Sequence, residues 1–140
     1  MLQDFNKKMV IVVRNDLPSW QVLNTVAHVS AYLGNKMRDT FGTGDYFVTK
    51  NNIKHPRNSQ YAIVTLSCKP NELKTLIKTV RDSGLDYIGF IREMIETTDD
   101  SEIEKILASK NDEDIEYLGI GIFGDKEKVS ELTKKFSLWK

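Results

Sequence analysis

MVIVV, from Met9 to Val13, is an unbroken run of apolar, mostly β-branched residues closed by the polar triplet Arg14-Asn15-Asp16. Continuous rather than alternating hydrophobicity suits a strand covered on both faces, as inside an α/β sheet. Three further runs have strand character: Tyr61–Leu66 (YAIVTL), Tyr87–Ile91 (YIGFI) and Tyr117–Phe123 (YLGIGIF). In the last, Gly119 and Gly121 share one face and Leu118, Ile120 and Ile122 the other. A strand face without side chains invites the close approach of a helix.

Helical spacing fills the intervals. Leu17-Pro18-Ser19 opens the first helix, with Ser19 as its N-cap. Its apolar stripe is Val22, Leu23, Val26, Val29 and Leu33, and its polar side is Gln21, Asn24, Thr25, His28 and Tyr32. Pro70-Asn71 starts a second helix with Leu73, Leu76, Ile77 and Val80 buried and Gly84 in the left-handed position after it. Ser101 and Glu104 form a capping box for a short helix over 99–109. Asp125 caps the last helix, whose stripe is Val129, Leu132 and Phe136, and Leu138-Trp139 folds back onto the sheet edge. Residues 35–59 read as a long connection, a plain insertion or a functional lid, with room for a small hairpin at Asn51-Asn52. The order β-α-β-α-β-(α)-β-α predicts an α/β fold of three layers (α/β/α), one domain over 1–140. Its sheet is expected to be four-stranded and mixed, mostly parallel, with right-handed crossovers. The last two strands are free to pair as an antiparallel hairpin.

Composition narrows the class. At 140 residues, 40% hydrophobic and 29% charged, the chain is a globular domain rather than a disordered one. No apolar stretch approaches the roughly 20 residues of a membrane span, and the first apolar run is too short for a signal peptide. The lone Cys68 cannot form an internal disulfide, which fits a reducing, cytoplasmic setting. Net charge is zero but unevenly spread: 12 Lys/Arg face 5 Asp/Glu up to Arg81, and 8 face 15 from Asp82 onward. That asymmetry reads either as a basic face for phosphates or as solvated helix faces.

The stretch KMVIVVRNDL, Lys8 to Leu17, is similar to the opening of the type 2 peptidyl-tRNA hydrolases, a KMVLVVRTDL-like run. Leu17–Gly34 (LPSWQVLNTVAHVSAYLG) resembles more closely an uncharacterised, mostly bacterial family thought to share their fold. LGIG at 118–121 and the closing KKFSLWK also look like the hydrolase fold's last strand and helix. The resemblance implies a peptidyl-tRNA hydrolase type 2-like fold and hydrolysis of an acyl or aminoacyl ester. The hydrolases carry lysines of the form K-M-G-K-G-K after the first strand, where this chain has Pro18–Leu23 and no lysine. Their I-R-D-A-G-R-T after the third strand corresponds to Ile91–Thr97, keeping an acid as Glu93 and a hydroxyl as Thr97 but replacing Gly and the second Arg by Ile95 and Glu96. Between Glu93 and Glu116 stand ten carboxylates and two lysines, a charge that counts against tRNA as the partner.

In open α/β sheets ligands settle at the carboxyl ends of strands. If the ends of strands one and three converge, the cleft gathers Arg14, Asn15, Asp16, Trp20 and Asn24 with Arg92, Glu93 and Thr97. The catalytic set implied is Glu93 and Thr97, orienting a water, with Asp16. Arg14, Asn15, Trp20, Asn24, His28 and Arg92 are the binding set. Trp20, Asn24 and His28 step along one helix edge, about 12 Å from first to last, and His28 is the natural acid/base. The alternative is that Trp20 staples the helix to the core, Asn24 caps a loop and His28 is merely exposed. Cys68 beside Lys69 is either an activated thiol or a small core residue. Two histidines and one cysteine without ligand spacing predict no metal, and no phosphate-binding glycine motif predicts a cofactor. Three functions stay open: an acyl-ester hydrolase, a non-catalytic small-molecule or nucleotide-binding module, and an interaction module using the acidic 93–116 segment. A homodimer is among the options for partners; a membrane is not.

Overall fold

Five strands form the main sheet of the computed structural model, which describes residues 1–140. The elements in order are β1 (Lys7–Arg14), α1 (Ser19–Met37), β2 (Tyr46–Val48), β3 (Lys54–Pro56), β4 (Ala62–Cys68) and α2 (Pro70–Arg81). After them come β5 (Asp86–Ile91), α3 (Arg92–Glu96), α4 (Asp100–Ala108), β6 (Tyr117–Asp125), α5 (Lys126–Thr133) and β7 (Ser137–Leu138). The sheet order is β5-β6-β1-β4-β7, and β2-β3 is a separate antiparallel ribbon. No helix is long and apolar enough to cross a membrane.

The expected run MVIVV is the buried centre. Met9, Ile11 and Val13 point to the α1 layer, whereas Val10 and Val12 point to the α2 and α5 layer. All five are at most 1% exposed. Period-two alternation thus feeds two cores from one strand, which is why the run shows no polar residue.

The sheet departs from the mostly parallel, four-stranded expectation. Only β1–β4 pair parallel; β1–β6, β5–β6 and β4–β7 pair antiparallel. The strands linked by helical crossovers, β1, β4 and β5, do point the same way. β6 then runs back between β1 and β5, so alternation in sequence does not become neighbourhood in the sheet. The fifth strand is the chain's end: Leu66 faces Leu138 across the β4–β7 pair.

Local corrections have equally local causes. Pro18, extended at ψ 152°, is the α1 N-cap, and Ser19 is the first helical residue. Asp99, not Ser101, caps α4, accepting hydrogen bonds from Ser101 N at 2.8 Å and Oγ at 2.7 Å. Leu23 is 70% exposed while Thr25 is fully buried. α1 is rotated so that its closest line to the sheet passes through Thr25 and Val29, the two residues that a Cβ at Gly119 or Gly121 would strike. Thr25 tolerates this burial because its hydroxyl donates to Gln21 O at 2.7 Å. Leu118 belongs to the α1 core rather than with Ile120 and Ile122. The register steps between Phe90 and Ile91, which face Gly119 and Tyr117, so Leu118 is the extra residue of a β-bulge.

The glycine face of β6 is where the helix comes nearest. A Cβ on Gly121 would overlap Val29 Cγ1 and stand 2.9 Å from Leu33 Cδ1. Gly121→Ala should therefore destabilise the fold by about 1–3 kcal/mol through overpacking. The check is the urea midpoint of the variant against that of wild type.

Candidate functional site

Strands β1 and β5 both end at the start of β6, and this junction gathers charge. Arg14 Nε and Nη2 donate to both oxygens of Asp16, at 2.9 and 2.8 Å. Arg14 Nη1 reaches Glu116 Oε1 at 3.1 Å, and Arg92 Nε grips Glu116 Oε2 at 2.9 Å. Arg92 Nη1 then donates to Gln21 Oε1 on α1 at 2.9 Å. Hydrogen bonding to Arg14 holds the Asp16 carboxyl below its ordinary range. Bonding to Arg92 and then Arg14 does the same for Glu116. Both guanidiniums are raised in turn by their carboxylate partners. Two cations and two carboxylates cancel, so the cluster ties α1, β5 and β6 together and leaves neither arginine uncommitted for a phosphate.

Glu93 points elsewhere. Its carboxylate is 8% exposed, with Oε1 accepting from Lys110 Nζ at 2.9 Å and Oε2 buried without a protein partner. Thr97 Oγ1 donates to Glu93 O at 3.0 Å, one turn back along α3. The sequence-derived set of Asp16, Glu93 and Thr97 thus divides: Asp16 belongs to the arginine cluster, and Glu93 pins the acidic 99–115 excursion through Lys110. Asn15 is exposed, with its backbone N–H on Cys68 O at 2.8 Å. Trp20 is 57% exposed, so it does not staple the helix to the core. Asn24 is half-buried on the same edge of α1 as Gln21 and His28.

The open volume lies one step further along that edge. A cavity of about 650 Å³ is bounded by α1, α3 and α4 over a floor of β5. Ile88 and Phe90 form the floor, His28 and Tyr32 one wall, and Met94, Thr97, Ile103 and Glu104 belong to the other. His28 lies stacked on Phe90, with ring centroids 5.5 Å apart and planes 16° from parallel. Its size falls within the roughly 300–1,000 Å³ typical of small-molecule sites. No lysine or arginine lines it. No set of three or more His, Cys, Asp or Glu side chains is placed to hold a metal.

A family model described as a protein of unknown function, DUF2000, matches residues 7–140. The chain belongs to the DUF2000 family. The solved structure of Atu0240, a protein of unknown function from Agrobacterium tumefaciens strain C58, is similar to it with a TM-score of 0.84. The match covers 98% of this chain and 100% of the other at 19% identity, a level that shows a shared fold alone. No curated protein matches.

Within this DUF2000 domain, His28 and Thr97 are the sequence-derived candidates that share the cavity. Gln21, Tyr32, Phe90 and Glu116 complete the two clusters. Gln21 and Tyr32 stood on the polar side of the first helix, which borders the arginine cluster and the cavity as well as solvent. Glu116 carried no signal beyond its place in an acidic run. Cys68 is buried, and burial pushes its thiol up to about 12, so it is a core residue rather than an activated nucleophile.

Two measurements bear on these clusters. The Glu116 carboxyl is lowered from 4.5, so its stabilising effect is complete above pH 4.5 and fades as pH falls towards the folded-state value. The urea-midpoint gap between wild type and Glu116→Gln should stay constant above that pH and shrink below it. Separately, Lys110→Ala leaves Glu93 buried without its cation and should cost about 1–3 kcal/mol. Adding Glu93→Gln should recover part of that loss in the same denaturation assay.

Proposed function

We propose that this DUF2000 protein is a small-molecule-binding module whose ligand occupies the cavity between α1, α3 and α4. The observation that carries this reading is the cavity itself: about 650 Å³, with the stacked His28–Phe90 pair and Tyr32 beside aliphatic side chains and a few polar groups. An apolar pocket with a small number of polar groups is the usual form of a ligand site. A flat, mostly apolar ligand fits the aromatic surface, and His28, Thr98 and Glu104 supply hydrogen-bonding partners. The cationless lining argues against phosphorylated ligands and against tRNA.

Hydrolysis of an acyl or aminoacyl ester, in keeping with the sequence resemblance to the type 2 peptidyl-tRNA hydrolases, is the second reading. In its favour, Thr97 lines the same cavity as His28. Against it, the Glu93 carboxylate is engaged by Lys110, and the Thr97 hydroxyl donates to a backbone carbonyl. Binding without turnover is the better supported of the two.

The test is a fragment and metabolite screen followed by chemical-shift mapping. Ligands should perturb His28, Tyr32 and Thr97, and a saturating one, at about 100 times its Kd, should add about 2.7 kcal/mol of stability. Met94→Trp, which fills the cavity, should weaken such a ligand by roughly tenfold, or about 1.4 kcal/mol. Perturbations confined to other surfaces would refute the assignment. Release of product from an aminoacyl ester, lost in His28→Ala, would favour hydrolysis instead.

A further inference from the structure

The β2–β3 ribbon is an arm exposed along its whole length. All six of its strand residues are exposed, and Tyr46, Phe47, Val48 and Ile53 are each about half exposed or more. A two-stranded ribbon is marginal in water on its own, and clustered exposed apolar side chains mark interaction surfaces. Residues 46–57 also carry Lys50, Lys54 and Arg57 and no carboxylate. Lys54 lies over the Tyr46 ring at 5.5 Å and Arg57 over the Phe47 ring at 4.4 Å, so cations and aromatic rings form one continuous surface. None of the three cations is in an ion pair.

The opposite charge stands at the other end of the molecule. The arm leads into β4, whose first residue Ala62 faces Lys8, so it lies at the amino end of β1. The acidic excursion leaves β5 at Ile91 and enters β6 at Tyr117, next to the carboxyl end of β1. Eight residues of strand separate the two, roughly 26 Å. That is well beyond the Debye length of about 8 Å at physiological salt. Within the excursion Glu102, Glu104, Glu113 and Asp114 form no ion pair. One copy therefore cannot neutralise its own two ends, whereas two copies placed antiparallel satisfy both at once.

We infer that the protein forms a two-fold dimer in which the β2–β3 arm of each copy lies on the acidic 99–116 segment of the other. A second copy is the occupant because the chain itself carries both signs, the unpaired Lys50, Lys54 and Arg57 on the arm and the unpaired Glu102, Glu104, Glu113 and Asp114 on the excursion. A two-fold arrangement closes, with both contacts equivalent, while head-to-tail stacking of the same surfaces would grow without limit. The aromatic side chains of the arm supply the apolar part of the contact, and the charges set its orientation.

Sedimentation velocity on the full chain tests this. Wild type should be dimeric at about 50 mM salt, and its dimer Kd should rise at least roughly tenfold at about 500 mM. A charge-exchange pair keeps the result independent of folding. Lys50→Glu/Lys54→Glu makes the arm of one variant net acidic like its other end. Glu102→Lys/Glu113→Lys/Asp114→Lys leaves five lysines against five carboxylates over 99–116 in the other, two of those carboxylates already paired with Arg81 and Arg92. Each should be monomeric alone, and the two should form a heterodimer when mixed. A wild type that stays monomeric at low salt overturns the proposal, as does a dimer untouched by both variants or a mixed pair that fails to associate. Binding of single-stranded nucleic acid through Phe47 and Lys54 by a monomer would overturn it in favour of a different partner. None of these substitutions lies in the lining of the α1–α4 cavity, so their outcome is separate from that of the ligand screen.

Discussion

The close seating of α1 on the glycine face of β6 is the constraint on which the rest of the architecture depends. Gly121 has no space for a side chain beneath Val29, and Gly119 has little beneath Thr25. Losing two side chains from a central strand forfeits apolar burial, but it lets helix and sheet approach closely enough to pack at native density. Because that line of contact is fixed, so is the rotation of α1. Leu23 turns to solvent, Thr25 turns inward, and the edge bearing Gln21, Asn24, His28 and Tyr32 is laid over β5.

Two separate groupings of polar and aromatic side chains follow from this one rotation. At the amino end of α1, Gln21 meets Arg92 and closes the charge cluster around Glu116. Further along, His28 rests on Phe90 and Tyr32 borders the cavity. The cluster is neutral and saturated with hydrogen bonds, which suits it to holding strand ends in register. The cavity is roomy and its imidazole exposed, which suits it to receiving something from outside.

How much of this was legible in the sequence depended on the range of the interaction. The α2 stripe of Leu73, Leu76, Ile77 and Val80, the left-handed Gly84 and the Asp125 cap are set within a few residues and emerged as expected. So did the turn at Asn51-Asn52, with Asn52 at φ 69°, and the return of the C-terminus to the β4 edge. The glycine face of β6 foretold a close helix, though not which side chains of α1 would meet it. Strand neighbours were misjudged because direction is set by crossovers, while adjacency is set by which strand the long acidic connection delivers into the gap. The Arg14–Glu116 bond spans 102 positions, and no periodicity encodes such a pairing. The sequence placed the candidate residues on the first helix and the ends of two strands, and the structure divides them between the arginine cluster, the Lys110–Glu93 pair and the cavity.

The cavity's boundary is mechanically uneven. Its floor is β5, the edge strand held by its pairing with β6, but α4 buries no residue completely and is attached through partly buried Ile103, Ile106 and Leu107. The Lys110–Glu93 pair anchors the chain just beyond it. Regions with few buried apolar side chains open at free energies well below that of global unfolding. Movement of the α4 side can therefore change the size of the hollow while the β5 side keeps its shape. Such a hollow behaves less like a mould than like a vice with one fixed jaw.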